Sequence, residues 1–376
     1  MKIAILAAYP VHLLPGFEGQ SSGGHYATWL PQLSKNFEAL IQPADKIHWI
    51  VMSKLVDKRK TVIFNNQTFH LLPRKKLSLS IVSYFLFERR AIASALNEIG
   101  PDVVHGWGTE DVYGPAQADW KGTSILSMQG ILSHYWKISK GGCLARLLAL
   151  YEPRTIRRSK VVTSESPWGR DQVKMISSQT RVELVEYGAD KKFFGIERRL
   201  SSAPTFLYVG SLDYRKGTDL LAEAFRDSRL QEVQLLVLGD GEMKPVMEEC
   251  GGNVKVLGRV GPKKVMELLE SCWALIHPTR ADTSPNSVKE ARVAGLAIIT
   301  TKAGGQTQYV EDGVSGLFFD PEDVESLIEA ILSFSADRES SREMGVHGLS
   351  AYQEMLQPSR TAREFYALYR EMVLSS

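Results

Sequence analysis

The chain has 376 residues, 44% hydrophobic and 23% charged, which is a globular make-up too long for one ordinary core, so two domains are expected. Its three cysteines, Cys143, Cys250 and Cys272, form no CxxC pair, which argues against a disulfide framework or a zinc site and suits a reducing compartment. The net charge of +2 conceals a split: residues 1–160 carry +9 and the remainder −7, so the first part is expected to face something anionic, such as a phospholipid surface or a phosphorylated acceptor. The N-terminal stretch MKIAILAAYPVHLLPG has neither the apolar length nor the small-residue site of a signal peptide. No run reaches the roughly 20 apolar residues of a membrane span. A cytoplasmic protein, peripheral on the inner face of a membrane, is the expectation.

In chain order, the strand KIAILAA leads into a Gly/Ser-rich loop, GFEGQSSGG, and a helical segment, HYATWLPQLSKNF. Strand-like runs follow at KIHWIVM, TVIF, DVVHGW, TSILSMQ and KVVTSES, with helical patterns such as SIVSYFLFERRAIASALNEIG between them. Alternation of this kind implies a mainly parallel sheet covered on both faces. Residues 182–204 read as irregular and end like a linker. The alternation then restarts: FLYVGSL, DLLAEAFRDS, QLLVLGDG, MKPVMEEC, VKVLGRV, PKKVMELLESC, WALIHP, SVKEARVAG, LAIITT, GLFFD and PEDVESLIEAILSFS. That is a second Rossmann-like domain. Residues 356–374 have the apolar spacing of a terminal amphipathic helix. The expected division is 1–185, 186–355 and a helix over 356–376. Ligands are expected at the carboxyl ends of the strands, in a cleft between the domains.

Several residues at those strand ends suit chemistry. Gly19, Ser21, Ser22, Gly23 and Gly24 lie in the first loop, where glycine lets backbone N–H groups approach an anion; the spacing is not GxGxxG and disfavours a dinucleotide. VGSLDYRKG places Arg215 and Lys216 at a helix start, a mobile charge added to the helix dipole, without the spacing of an ATP-binding P-loop. In RADTSPNSVKEARVAG, Pro285 breaks the extended run and Ser287 is expected to cap the following helix. The N–H groups of residues 284–288 then face an anion, and Glu290, about one turn in, offers two acceptor oxygens to a vicinal diol. Asp282 at the strand exit reaches another part of the same ligand. His105 and Gln129 end two strands of the first half, His134 follows, and Arg259 ends a strand of the second. The ordinary alternatives are solvated loop charges and, for His105, a satisfied buried histidine.

Taken together, FLYVGSLDYRKGTDLLAEAF, LLVLGDGE, VKVLGRV and LIHPTRADTSPNSVKEARVAGLAIITTKAGGQTQYVEDGVSGLFFDPEDVESL, with EYGADKKFF upstream, resemble a glycosyltransferase of family 4, the large retaining family of GT-B fold. The first half is similar more loosely, through its first loop, DVVHGW and SMQG. The resemblance implies an α/β fold of two doubly wound domains facing across a cleft, with the C-terminal helix crossing back to the first. It implies a nucleotide-diphosphate sugar, UDP- or GDP-linked, as donor substrate, and a glycan or lipid-linked acceptor, as in cell-surface polysaccharide or lipopolysaccharide synthesis. Lys216 and Arg215 would then neutralise the diphosphate, Asp282 would contact the donor sugar, and Glu290 would hold the ribose. Gly210, Ser211, Ser284, Pro285, Asn286, Ser287 and Val288 would line the donor, Arg259 and Val260 would lie near the base, and Gly23, Gly24, His105, Gln129 and His134 would serve the acceptor and phosphate side. The chain departs from the family in carrying Asp282 for a usual Glu, Ser211 for a frequent Arg and Gln129 for a frequent His. No metal-binding DxD or His/Asp grouping is visible, so no cofactor or metal is expected. A sugar-nucleotide epimerase fits the RKG and SPNSVKE pieces less well. A non-catalytic sugar-nucleotide or glycan-binding protein of the same fold is the alternative from another class.

Overall fold

Runs such as KIAIL and VVHGW are apolar nearly throughout, which suits strands buried on both faces of a parallel sheet rather than strands with one wet side. In the computed structural model, residues 1–20, 29–74, 77–139 and 141–375 are described. The chain divides into two units, Met1–Gly188 with Pro358–Ser376, and Ala189–Gln357.

The first unit holds β1 (Lys2–Leu6), β2 (Lys46–Ser53), β3 (Lys60–Phe64), β4 (Gln67–Pro73), β5 (Val103–Trp107), β6 (Thr123–Ser127), β7 (Val161–Ser164) and β8 (Arg181–Leu184). They form one sheet in the order β3-β4-β2-β1-β5-β6-β7-β8, parallel except for the β3–β4 hairpin. Asn65 and Asn66 turn that hairpin, both at positive φ, as a two-residue turn matched to strand twist requires. β4 and β8 escape the sequence reading. β4 mixes Gln, Thr and His into its apolar pattern, and β8 is a short edge strand with no buried residue. The long helix expected from SIVSYFLFERRAIASALNEIG is two helices, Leu77–Val82 and Leu86–Ile99. Tyr84 and Phe85 take φ of 50° and 56° between them. Such a conformation costs about 1–2 kcal/mol per residue for a side-chain-bearing residue, and complete burial of Phe85 offsets it.

The C-terminal helix Pro358–Leu374 re-enters the first unit's core. Ala362, Phe365, Tyr369 and Met372 pack in one cluster with Ile3, Phe37, Trp107 and Tyr187. Tyr366 bonds Asp45, and the Thr361 hydroxyl accepts from the Gly188 amide at 2.9 Å while donating to the Glu186 carbonyl at 2.8 Å.

The second unit holds β9 (Thr205–Val209), β10 (Gln234–Leu238), β11 (Val254–Gly258), β12 (Ala274–His277), β13 (Ala297–Thr301) and β14 (Gly316–Phe319). The order is β11-β10-β9-β12-β13-β14, all parallel. Renumbered from its own start, this is 3-2-1-4-5-6, the doubly wound order. Alternate strand residues feed two cores. Phe206, Val237, Ile276 and Ile299 meet Leu221, Phe225 and Ile331 on one face, and Leu207, Leu238, Leu275 and Ile298 meet Val288, Ala291 and Leu268 on the other. Strand order reverses between β9 and β12, and a doubly wound sheet opens its ligand crevice at the carboxyl ends of such a pair.

Candidate functional site: the strand-order reversal of the second unit

The residues after β9 and β12 meet at that reversal. Gly217 stands before the helix Thr218–Ala224 at φ +71°, and a Cβ there would fall 1.8 Å from the Pro278 carbonyl oxygen. Only glycine lets the two loops touch. The Arg280 amide donates to the Arg215 carbonyl at 2.8 Å, and the Thr279 hydroxyl donates to the same oxygen at 3.2 Å. Arg280, which the sequence reading passed over, stacks its guanidinium 3.7 Å from the Tyr214 ring centre, donates to Asp219 at 2.7 and 2.8 Å, and pairs with Glu322. The loop after β13 joins at Gly304, where a Cβ would meet the Asp282 carbonyl oxygen at 2.5 Å. Gly305 donates its amide to that oxygen at 2.8 Å. A third contact, Gly239 against the Gly210 carbonyl at 1.8 Å for a Cβ, locks the loop after β10 to the loop after β9.

Inside this frame Lys216 and Asp282 form an ion pair, both side chains mostly enclosed. Burial alone would raise the Asp282 carboxyl; Lys216, His277 and Arg215 outweigh it and hold the group far below the usual carboxylate range. His277, at the end of β12 and fully enclosed, has Nε2 3.6 Å from Asp282, too long for a hydrogen bond. Burial keeps its imidazole neutral, its pKa lowered to about 4. The sequence reading gave His277 no role of its own, although it lies in the quoted LIHPTRAD stretch at a strand's carboxyl end. Arg215 is half-buried beside Lys216. Its guanidinium donates to the Ala281 carbonyl at 2.9 Å and so braces the loop that presents Asp282.

The helix that carries Glu290 spans Asn286–Val293, with Pro285 at its cap position and no side-chain cap. Ser287 therefore lies within the first turn and does not cap, which corrects the expectation: Pro285 fixes the entry, so the helix begins one residue before Ser287. The amides of Asn286 and Ser287 donate to no described residue, as the first turn of a helix predicts. Ser284 shares a 2.6 Å hydrogen bond with the Tyr309 hydroxyl, and Val288 is buried in the core. The Glu290 carboxylate, partly exposed, accepts no hydrogen bond from a described residue. Burial pushes it up to about 7, with Asp190 adding to the rise and Lys192 and Lys289 opposing it.

Around this centre, Gly210 follows β9 and Ser211 donates to Asp213 at 2.5 Å, so the hydroxyl that stands for a frequent Arg is engaged within its own loop. Arg259 is exposed past β11, and Val260 packs at the margin of the core.

In the first unit, Gly23 and Gly24, with Ser21 and Ser22, lie outside the described residues. His105 faces no site. It is fully buried, with its ring nitrogens 2.6 Å from the Tyr369 hydroxyl and 2.6 Å from the Ser127 hydroxyl, its ring stacked 3.7 Å from Trp107, and its pKa held well below the ordinary value by burial. The satisfied core histidine is the correct reading, because the returning C-terminal helix covers the position. Gln129 and His134 do share the β6 exit, His134 edge-on to Trp168 at 5.2 Å. The helix Leu132–Ser139 that carries His134 is capped by a residue the sequence reading missed. The Glu152 carboxylate accepts from the amides of Leu132 at 2.9 Å and Ser133 at 2.8 Å, and from the Ser133 hydroxyl at 2.6 Å. At the β5 exit Arg74 binds Asp111 through two hydrogen bonds, 2.8 and 2.5 Å. Glu110 fills the space over Gly108, its carboxyl raised to about 7 by burial and the nearby Asp111 and Glu152.

Both sheets and their order define the GT-B class of glycosyltransferase fold. Over its whole length the chain superposes on sucrose-phosphate synthase from Thermosynechococcus elongatus with a TM-score of 0.80 at 17% identity, covering 100% of both chains. Anabaena HepE in complex with UDP and glucose matches at a TM-score of 0.72 and 13% identity over 99% of this chain and 100% of that one. Residues 190–349 match the family described as Glycosyl transferases group 1 and form a domain of that group. Within the sequence, 137 residues are 27% identical to a GDP-mannose-dependent alpha-mannosyltransferase of Corynebacterium glutamicum, 36% of this chain and 32% of that protein. An O-antigen chain mannosyltransferase C of Escherichia coli is 25% identical over 178 residues, 45% of this chain and 47% of that protein. The chain thus aligns with between about a third and a half of the length of these two curated relatives.

Proposed function

We propose that the protein is a glycosyltransferase that moves a sugar, with retention, from a UDP- or GDP-linked donor to a hydroxyl of a glycan or lipid-linked acceptor in cell-surface polysaccharide or lipopolysaccharide synthesis. The observation that carries this reading is the grouping at the β9/β12 reversal. A lysine tied to a buried acid, and a helix start whose Asn286 and Ser287 amides and Glu290 carboxylate one turn further on have no partner among the described residues, lie in a domain matching Glycosyl transferases group 1. Two of the relatives carry mannosyltransferase names, and a GDP-sugar donor is named in one and UDP in a fold neighbour. Both bases therefore belong in the test.

In this reading Glu290 accepts hydrogen bonds from the ribose hydroxyls, and the amides of Asn286 and Ser287 face the diphosphate. Lys216 supplies positive charge to the departing diphosphate, while Asp282, fixed by Lys216, contacts the donor sugar. The bond from the anomeric carbon to the phosphate oxygen breaks, and a bond to the acceptor oxygen forms on the same face. The acceptor proton passes to the departing phosphate. Fixed charges and helix amides meet the developing negative charge without a metal, as preorganised electrostatics.

The experiment is a thermal-shift screen of UDP- and GDP-sugars followed by mass spectrometry of products formed with glycan and lipid-linked acceptors. Transfer from at least one donor is expected. A donor that raises the melting temperature yet is never hydrolysed or transferred replaces the enzyme with a sugar-nucleotide-binding protein.

A further inference from the structure

His277 carries a buried polar atom that the fold leaves unused. It ends β12 behind Ala274, Leu275 and Ile276, and it is 1% exposed. Its imidazole Nε2 is buried without a hydrogen-bond partner among the described residues. Buried polar atoms are paired in the great majority of cases, so an exception calls for a reason. An aliphatic side chain would fill the same space without leaving a donor unmet.

Nε2 lies 3.6 Å from Asp282 Oδ2, about half an ångström beyond hydrogen-bond reach. The Lys216 ammonium holds that same oxygen, while Asp282 Oδ1 bonds no described residue. The imidazole stays neutral because burial disfavours its charge, with Lys216 and Arg215 adding to the effect and Asp282 opposing it. A neutral ring has one N–H, and beside a carboxylate the Nε2–H tautomer is the one that can serve the contact.

The backbone around these groups is held. The Thr300 hydroxyl donates to the His277 carbonyl at 2.7 Å, and the Thr301 hydroxyl donates to the Thr279 carbonyl at 2.5 Å. Gly217 lies against Pro278, and the Arg215 guanidinium is engaged with the Ala281 carbonyl. The movable part is the long Lys216 side chain, 13% exposed while it rests on Asp282. From that enclosed position its ammonium reaches a ligand phosphate by turning outward. Asp282 then remains enclosed without this cation, which is costly unless another donor takes its place.

We propose that His277 is a positioning residue that takes over Asp282 when a donor diphosphate draws Lys216 away. A small turn of the carboxylate brings Oδ2 onto the Nε2–H, and Oδ1 is left to the donor sugar. The exchange rests on the donor reading of the site given above. It gains and loses no proton, because a neutral N–H replaces an ammonium as hydrogen-bond donor.

The first test needs no ligand. Lys216→Ala removes the ammonium for good and so imitates its departure. In that background His277→Leu should lower the melting temperature by about 3 °C or more beyond its cost in the wild-type background. The packing change is common to both backgrounds and cancels. An equal cost in both overturns the proposal. The second test is calorimetric affinity for UDP and for GDP. His277→Leu should weaken whichever diphosphate the wild type binds by about tenfold to a hundredfold. His277→Gln, whose amide N–H reaches the region of Nε2, should restore most of the loss. In an Asp282→Asn background His277→Leu should change affinity by less than about twofold. Unchanged affinity in His277→Leu overturns the exchange alone, since Lys216 then keeps Asp282 and the phosphate together. A loss of the same size with Asn at position 282 also overturns it, because His277 then acts on something other than the carboxylate. Binding of neither UDP nor GDP by the wild type overturns the donor-driven exchange together with the donor reading of the site.

Discussion

Both units are doubly wound sheets with a reversal of strand order, β1/β5 in the first and β9/β12 in the second, yet the two reversals are furnished differently. In the second, three glycines press the loops together, a lysine–aspartate pair is enclosed, and the Glu290 carboxylate accepts from no described residue. In the first, two acids are engaged by structure, Glu152 capping a helix and Asp111 holding Arg74, while Glu110 keeps a buried carboxylate oxygen that accepts from no described residue. The strand-end histidine there, His105, is sealed under the C-terminal helix. Among the described residues, the same topology thus presents an enclosed ion pair and a helix start with unbonded amides in the second unit, and mainly acids engaged with their own neighbours in the first.

The largest effect tests the sealing. Phe365→Ala removes a fully buried ring packed against His105, Trp107 and Tyr187. It should cost the first unit about 3–5 kcal/mol in denaturant unfolding. A cost below about 1 kcal/mol would mean that the C-terminal helix is not part of that core. Next is the pair in the second unit. Lys216→Ala should reduce transfer by roughly 10²–10³-fold, on the scale of losing one preorganised charge-stabilising group. It should also lower the melting temperature, because Asp282 is left enclosed without its cation. Lys216→Ala/Asp282→Asn should recover the melting temperature and leave transfer low. Recovery of both would move the chemistry elsewhere.

A smaller effect follows from Glu290, raised to about 7 in the folded chain from an ordinary 4.5. The folded state holds this proton more tightly than the unfolded one, so its contribution to stability falls as pH rises from about 4.5 to about 7. Ribose hydroxyls donate to the ionised form. Donor binding should therefore release a proton and tighten, by less than about tenfold, between pH 6 and 8. Calorimetry in buffers of different ionisation enthalpy reads the proton, and Glu290→Gln should flatten the profile. A proton taken up on binding contradicts the ribose assignment. Smallest of all, Arg259→Ala, at an exposed residue, should change stability by no more than about 0.5 kcal/mol, while weakening donor binding only if the base lies near it.

The sheets were legible because their strands are long apolar runs between helical periods. The second unit's candidate site was legible as a grouping because SLDYRKG and DTSPNSVKE sit directly at strand exits. What could not be read depended on partners distant in sequence. Glu152 caps a helix 20 residues earlier and Tyr369 covers His105 from 264 residues away. Arg280 closes a clamp on Asp219 and Glu322. Ser287 was misplaced as a cap by two residues, since Pro285 rather than a hydroxyl fixes the helix entry. The break at Tyr84–Phe85 was equally invisible, as neither residue favours positive φ on its own.

The glycine contacts have a kinetic corollary. The amides of Leu212, Arg280 and Gly305 donate to Asp240, Arg215 and Asp282, each from one loop to the next. Loop amides ordinarily trade hydrogen with solvent quickly, but these can open only if neighbouring loops part together. They should exchange as one cooperative group, slowly and at similar rates, and a side chain introduced at Gly217, Gly239 or Gly304 should release all three. The ligand edge of the second unit would then behave, in solution, as an extension of the sheet rather than as a set of separate loops.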